Sequence, residues 1–388
     1  MLKEIYKKLY LFCWVLYIYT RFVMWTSLSD NAYWLFQSAY ILIVIIQVCM
    51  ITIPYKMKKK QYFLVFILIC SGILILLSVR DTVLLITLLF ILNSNKVKMR
   101  EFICFDIKVK FFFVFLTLVL YKIGMLPNYI EKYWTMERGY RYDFGFGNPN
   151  VFSLIIFSLL LECIFIANKH KKLILLGGFL VGYAVYKATN SRTSYYTYVI
   201  SLMLLLTLPL LKKWLKIKWL RFVLIVSPCV IASVSVILVK LYQQKNPNVL
   251  EIDKLLSRRL YWANNWLQSY GYTLFGTKLP TRLTIGLRSV CLDMGFIHIP
   301  LMYGYLGMFC FLLVYTIVFA KLLEYEQYNL LIYMLGFIIM GVAEKGALTM
   351  AYNLPLIFLM KMMLCKNSVI DRLIFSCCKQ DKVIKNSV

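Results

Sequence analysis

The segment Leu256-Ser257-Arg258-Arg259-Leu260-Tyr261-Trp262 sets two adjacent guanidinium groups beside aromatic rings, on what reads as a helical turn. A guanidinium is a planar fork of N–H donors that matches paired phosphate oxygens, so this segment has the chemistry of a diphosphate clamp. A solvated basic turn with interfacial Tyr and Trp has the same composition. Arg192 stands in a second stretch, Thr189-Asn190-Ser191-Arg192-Thr193-Ser194. There Asn190 or Ser191 is expected to cap a helix whose N-terminal dipole, with Arg192, makes either a small anion site or a bare cap. Gly145-Phe146-Gly147-Asn148-Pro149-Asn150 reads as a cap with proline at the first helical position. It is no nucleotide loop, because no strand precedes it and no third glycine follows. Nearby Arg138, Arg141 and Asp143 lie in a loop rich in Tyr and Trp, suited to stacking sugar rings or to a membrane-interface belt.

Two carboxylates complete the set. Asp293, in the same long basic segment as Arg288, is placed to accept a proton from a hydroxyl or to serve as a salt-bridge partner. Glu344 is the second candidate, with Lys345 beside it as a possible partner. Neither His170 nor His298 has a second histidine or cysteine ligand nearby, so no zinc or other metal is expected, and no cofactor.

Membrane helices must position these residues. The chain is 61% hydrophobic and 16% charged, far from a soluble domain. Twelve apolar stretches approach the length of about 20 residues that a span needs, near 9–26, 32–54, 62–79, 82–94, 109–126, 149–168, 173–188, 193–211, 220–241, 299–320, 329–343 and 350–365. Ten spans would keep the same parity, since the third and fourth stretches, joined at Arg80 and Asp81, suit a re-entrant hairpin. Every second gap is crowded with Lys and Arg, from Lys3–Lys8 through Lys96–Lys110 and Lys212–Arg221 to the tail, and these gaps hold 27 of the 44 basic residues. The positive-inside rule makes them cytoplasmic, with both termini inside and residues 127–147 and 242–298 as outer loops of a single integral domain, 1–388. A basic outer loop is unusual, and an anionic ligand is its simplest explanation. The net charge of +27 is scattered over short loops against anionic lipid, which disfavours nucleic acid. No cleavage site follows the first stretch, so it is expected to stay as an anchor. Arg21 and Glu162 lie within spans near enough to helix ends to snorkel. Of the cysteines only Cys291 faces outward, so no disulfide framework is expected.

In order and spacing these motifs resemble the Wzy-type polymerases of bacterial polysaccharide synthesis, within the O-antigen ligase and polymerase superfamily. The resemblance rests on Phe144-Gly145 to Asn150, Ser191-Arg192-Thr193, Leu256 to Leu260, Leu274-Phe275-Gly276, and Asp293 before Gly304-x-x-Gly307, across residues 140 to 310. It implies an all-α polytopic bundle of about 12 spans, similar to GT-C-type membrane glycosyltransferases, in the bacterial cytoplasmic membrane. The implied activity joins undecaprenyl-diphosphate-linked oligosaccharide repeats on the outer face into capsular or surface polysaccharide, with a flippase and a chain-length regulator as partners. Arg192 and Arg259 would hold the donor diphosphate, with Arg258, Arg141, Asp143, Asn148, Asn150, Arg288 and Glu344 around the substrate. Transfer would invert the anomeric carbon while Asp293 or another outer carboxylate takes the acceptor proton, and activity would persist in chelator. The ligase branch carries a histidine where this chain has Asp293, which disfavours a ligase. A flippase or other transporter, or a non-catalytic capsule partner, remains as an alternative, the former expected to show internal symmetry and broken helices.

Overall fold

In lipid, backbone amides and carbonyls find partners only in one another, so long apolar runs fold as helices. The computed structural model describes residues 2–26, 33–51, 59–126, 131–132, 140–167, 171–285 and 288–364. Among these lie α1 (Leu2–Met24), α2 (Tyr33–Cys49), α3 (Lys59–Val79), α4 (Thr82–Asn93), α5 (Met99–Lys122), α6 (Pro149–Ile166), α7 (Lys171–Thr189), α8 (Arg192–Trp214), α9 (Lys218–Gln243), α10 (Pro247–Leu255), α11 (Arg259–Tyr270), α12 (Gly295–Glu324), α13 (Tyr328–Met340) and α14 (Leu359–Leu364). Six of them, α3, α6, α7, α8, α9 and α12, contain stretches long and apolar enough to cross a membrane. Large apolar side chains stand exposed on their flanks, among them Phe63, Leu77, Leu173, Leu210 and Trp219. Such a surface is stable against lipid rather than water.

Sequence expectation and structure part in three places. The last expected span, 350–365, is broken: short 3-10 turns at Lys345–Leu348 and Leu354–Phe358 precede the six-residue α14. Pro355 removes a backbone donor there, and buried Asn353 is turned aside to donate to the Tyr315 hydroxyl at 3.0 Å. The long segment 242–298, expected as an outer loop, carries secondary structure of its own. It contains α10, α11 and a hairpin of β3 (Leu283–Ile285) with β4 (Arg288–Val290), and its Leu260, Trp266 and Leu292 pack in one apolar cluster with Val239 of α9 and Leu301 of α12. The third difference is that α5 begins at Met99, so Asp106 and Lys110 are buried residues of a helix rather than part of a solvated gap between stretches.

Those two residues anchor the bundle interior. Lys110 Nζ lies 2.6 Å from Asp106 and 2.7 Å from Glu162, and Trp14 Nε1 donates to Asp106 at 2.7 Å. Glu162 is fully buried and does not snorkel. The start of α1 is tied to other basic contacts at one end of the bundle: Lys7 pairs with Glu101 at 2.9 Å, Arg100 donates to the Ile166 carbonyl, and Lys361 to the Val97 carbonyl. The candidate chemistry lies at the opposite end.

At that end α12 is kinked at Gly304 (φ 73°), and the Leu274-Phe275-Gly276 turn inserts into the kink. Tyr305 and Leu306 amides donate to the Thr273 and Leu274 carbonyls at 3.0 and 3.1 Å. A Cβ on Gly304 would sit 2.3 Å from the Leu274 oxygen, and one on Gly276 would sit 2.0 Å from the Met302 oxygen. The glycines are therefore required for backbone to meet backbone, and φ at Gly304 adds its own demand.

Candidate functional site

The site begins in the turn between α10 and α11. Ser257 and Arg258 both adopt left-handed backbone, φ 62°, which reverses the chain within two non-glycine residues. Asp253 holds that turn, accepting the Leu260 and Tyr261 amides at 2.8 and 3.3 Å and thereby capping α11 from the preceding helix. Burial pushes the Asp253 carboxyl upward, against the pull of those two amides and of Arg258. The turn sends the two arginines apart. Arg258 is exposed, whereas Arg259 folds inward, so the adjacent pair is not a double clamp.

Arg259 reaches across to two other helices. Its Nη1 donates to Thr193 Oγ1 at 3.1 Å, and its Nη2 lies 2.5 Å from Glu344 Oε1. Each side chain of the ion pair is 11% exposed, so the pair is largely desolvated and little screened. Glu344 therefore pairs with Arg259 and not with Lys345. Lys345 instead gives its backbone amide to the Asp293 carbonyl at 2.5 Å, while the Gly295 amide donates to the Gly341 carbonyl at 2.9 Å. These two bonds lace the chain before α12 to the chain after α13 and bring Asp293 beside Glu344. Burial pushes the Glu344 carboxyl above the usual carboxylate range; Asp293 adds to that push, and Arg259 and Arg141 oppose it.

Arg141 is buried and bridges two helix ends: Nε donates to the Thr189 carbonyl at 2.6 Å and Nη2 to Asn150 Oδ1 at 2.5 Å. Asp143, also buried, accepts the Gly145 amide at 3.2 Å and shapes the turn leading to α6. Asn148 caps α6 as expected, taking the Asn150 amide at 2.8 Å with Pro149 at the first helical position. The cap expected on α8 differs, because Ser191 stands at the cap position with no side-chain bond to a helix amide, and its hydroxyl faces Ser194 instead. Arg192 opens α8 beside Thr193, is partly exposed, and lies in electrostatic reach of Tyr196. Arg288 stands in β4, but its side chain lies outside the described residues, as do Arg138, His170 and the tail cysteines.

The structure thus gathers Arg259, Glu344, Asp293, Arg141, Thr193 and Asn150, and leaves Arg258 outside. Four helix N-termini, those of α6, α8, α11 and α12, meet around them, and their positive dipole ends favour an anion. Thr193 and Asp253 carry roles that sequence reasoning did not assign. Thr193 already lay in the quoted motif, but the Asp253 cap acts across two non-glycine left-handed residues and has no local signature. Among the described residues no group of three His, Cys, Asp or Glu is close enough to hold a metal ion. Compared with known proteins, the chain matches no family model, and neither a curated protein nor a solved structure matches it.

Proposed function

We propose that the protein is a membrane-embedded glycosyltransferase that polymerises lipid-diphosphate-linked oligosaccharide repeats on the outer face of a bacterial cytoplasmic membrane, with about twelve spans and both termini inside. The observation that carries this reading is Arg259, largely desolvated between Thr193 and Glu344 where helix N-termini converge. Undecaprenyl diphosphate is the leaving group that such a site fits, with Arg192 and Arg259 taking the charge that develops on it.

In the proposed reaction an acceptor hydroxyl oxygen attacks the anomeric carbon of the donor sugar while the bond from that carbon to the diphosphate oxygen breaks, with inversion. The hydroxyl proton passes to Asp293, which is partly accessible, while buried Glu344 holds Arg259 in place. Stabilising a leaving oxyanion with one preorganised donor is worth about 2.7–4 kcal/mol, so Arg259 alone would supply a rate factor of about 100 to 1,000. Asn148, Asn150, Arg141 and Asp143 shape the neighbouring wall. Purified protein in liposomes with a lipid-diphosphate-linked repeat should yield a ladder of products, in chelator as well as without. A preparation that moves native lipid-linked substrate across the bilayer and makes no ladder would reject the reading.

One observation favours transport as a second reading. The kink at Gly304 and the broken stretch from Gly341 to Phe358 are the kind of discontinuous helix that transporters build around a central site. The same liposome assay separates the two.

A further inference from the structure

Arg21 sits in the last turn of α1, at the Glu344 end of the bundle. Its guanidinium lies over the Tyr17 ring at 5.2 Å, and its Nε donates to the Tyr17 hydroxyl at 3.1 Å. The group is partly buried, with Tyr40 and Tyr352 in electrostatic reach. Its two terminal nitrogens have no hydrogen-bond partner among the described residues and are not fully buried. Among the described residues no carboxylate pairs with it. Asp81, which lies beyond Tyr303, is already engaged by the Val83 and Leu84 amides at 3.0 and 3.3 Å and by the Tyr303 hydroxyl at 2.8 Å.

An uncompensated guanidinium partly withdrawn from water in an apolar bundle is unfavourable unless something anionic joins it. Its environment is built to receive such a group. Tyr17, Tyr40, Tyr303 and Tyr352 supply hydroxyls and ring faces but no negative charge, and Trp25 stacks on Tyr352 at 5.0 Å. Tyr352 is within electrostatic reach of both Arg21 and Glu344, so this cage and the Arg259 site are neighbours.

We propose that Arg21 and its tyrosine cage form a second oxyanion site, which takes a phosphate or carboxylate carried by the acceptor glycan. Joining two lipid-diphosphate-linked repeats brings two anionic substrates to one place, and the Arg259 site serves only the donor. The assignment to the acceptor rests on the transferase reading; the existence of the anion site does not.

The test is calorimetric titration of the full-length protein, in nanodiscs of neutral phosphatidylcholine, with inorganic pyrophosphate and separately with glucuronate. Wild type should bind two pyrophosphates per chain, Arg259→Ala should keep one, and Arg21→Gln should keep the other. Arg21→Lys retains the charge but loses the fork, and should weaken the second event about 10-fold. It decides the matter if Arg21→Gln does not fold. Pyrophosphate binding alone at this site points to the lipid diphosphate, and glucuronate binding alone points to an acidic sugar; either supports the site. If Arg21→Lys and a folded Arg21→Gln bind both probes as wild type does, the proposal is overturned. If Arg259→Ala changes nothing while Arg21→Gln abolishes binding, the donor reading of Arg259 fails and the Arg21 site stands.

Discussion

Glu344 is held between opposing influences, and this decides how the site responds to pH. Burial and Asp293 raise its carboxyl, while Arg259 and Arg141 favour its charged form; the net shift is upward. A raised carboxyl stays neutral to a higher pH than a solvated glutamate. If its negative charge is what fixes Arg259, activity should fall on the acid side at a pH above the ordinary glutamate range. Glu344→Gln, always neutral, should have low activity with that acid limb removed. A pH–rate profile of the reconstituted protein checks both, and an unchanged limb in Glu344→Gln would assign it elsewhere. At this scale local chemistry was legible, as at the Asn148 cap with Pro149, because cap and helix are adjacent in sequence. The Arg259–Glu344 pair was not, since 85 positions separate the partners and only the fold joins them. Sequence proximity suggested Lys345 instead, because the broken stretch after α13 leaves no mark in a local pattern.

The elements were legible wherever apolar length dictates them. Each of the twelve expected stretches contains some helix, but only six of the described helices are long and apolar enough to cross a membrane, and 350–365 holds no more than a 3-10 turn and the six-residue α14. What composition could not show was backbone meeting backbone. The Leu274–Gly276 turn and Gly304 are separate short motifs in sequence, and the kink of α12 is where they interlock. Gly304→Ala should therefore lower the melting temperature strongly, because its Cβ would strike the Leu274 carbonyl and its φ of 73° is strained for alanine. Gly177→Ala, whose added Cβ meets nothing within 4 Å, is the matched control and should leave melting unchanged or slightly raised. Equal melting of the two variants would mean that the turn does not sit in the kink.

Across the whole molecule, one buried charge network and one charge asymmetry organise the bundle. Lys110 is the shared cationic partner of two carboxyl groups on two helices, and removing it would leave Asp106 and Glu162 without a cation between them. Lys110→Met should cost about 3–5 kcal/mol, the usual penalty for breaking a buried pair, read as a large drop in melting temperature in detergent. A variant as stable as wild type would show the network to be dispensable. Charge asymmetry predicts orientation: Cys291, exposed and on the site's side of the bundle, should react with a membrane-impermeant maleimide added to intact cells, in a variant whose other cysteines are replaced. Protection until the cells are opened would invert the topology and place the site in the cytoplasm. The central claim is that Arg259, not its neighbour, grips the donor diphosphate, and it is tested most directly by comparing chain-growth rates of Arg259→Ala and Arg258→Ala in liposomes. The predicted result is a loss of about 100-fold or more for Arg259→Ala, with Arg258→Ala within a few-fold of wild type; equal rates for the two variants would contradict it.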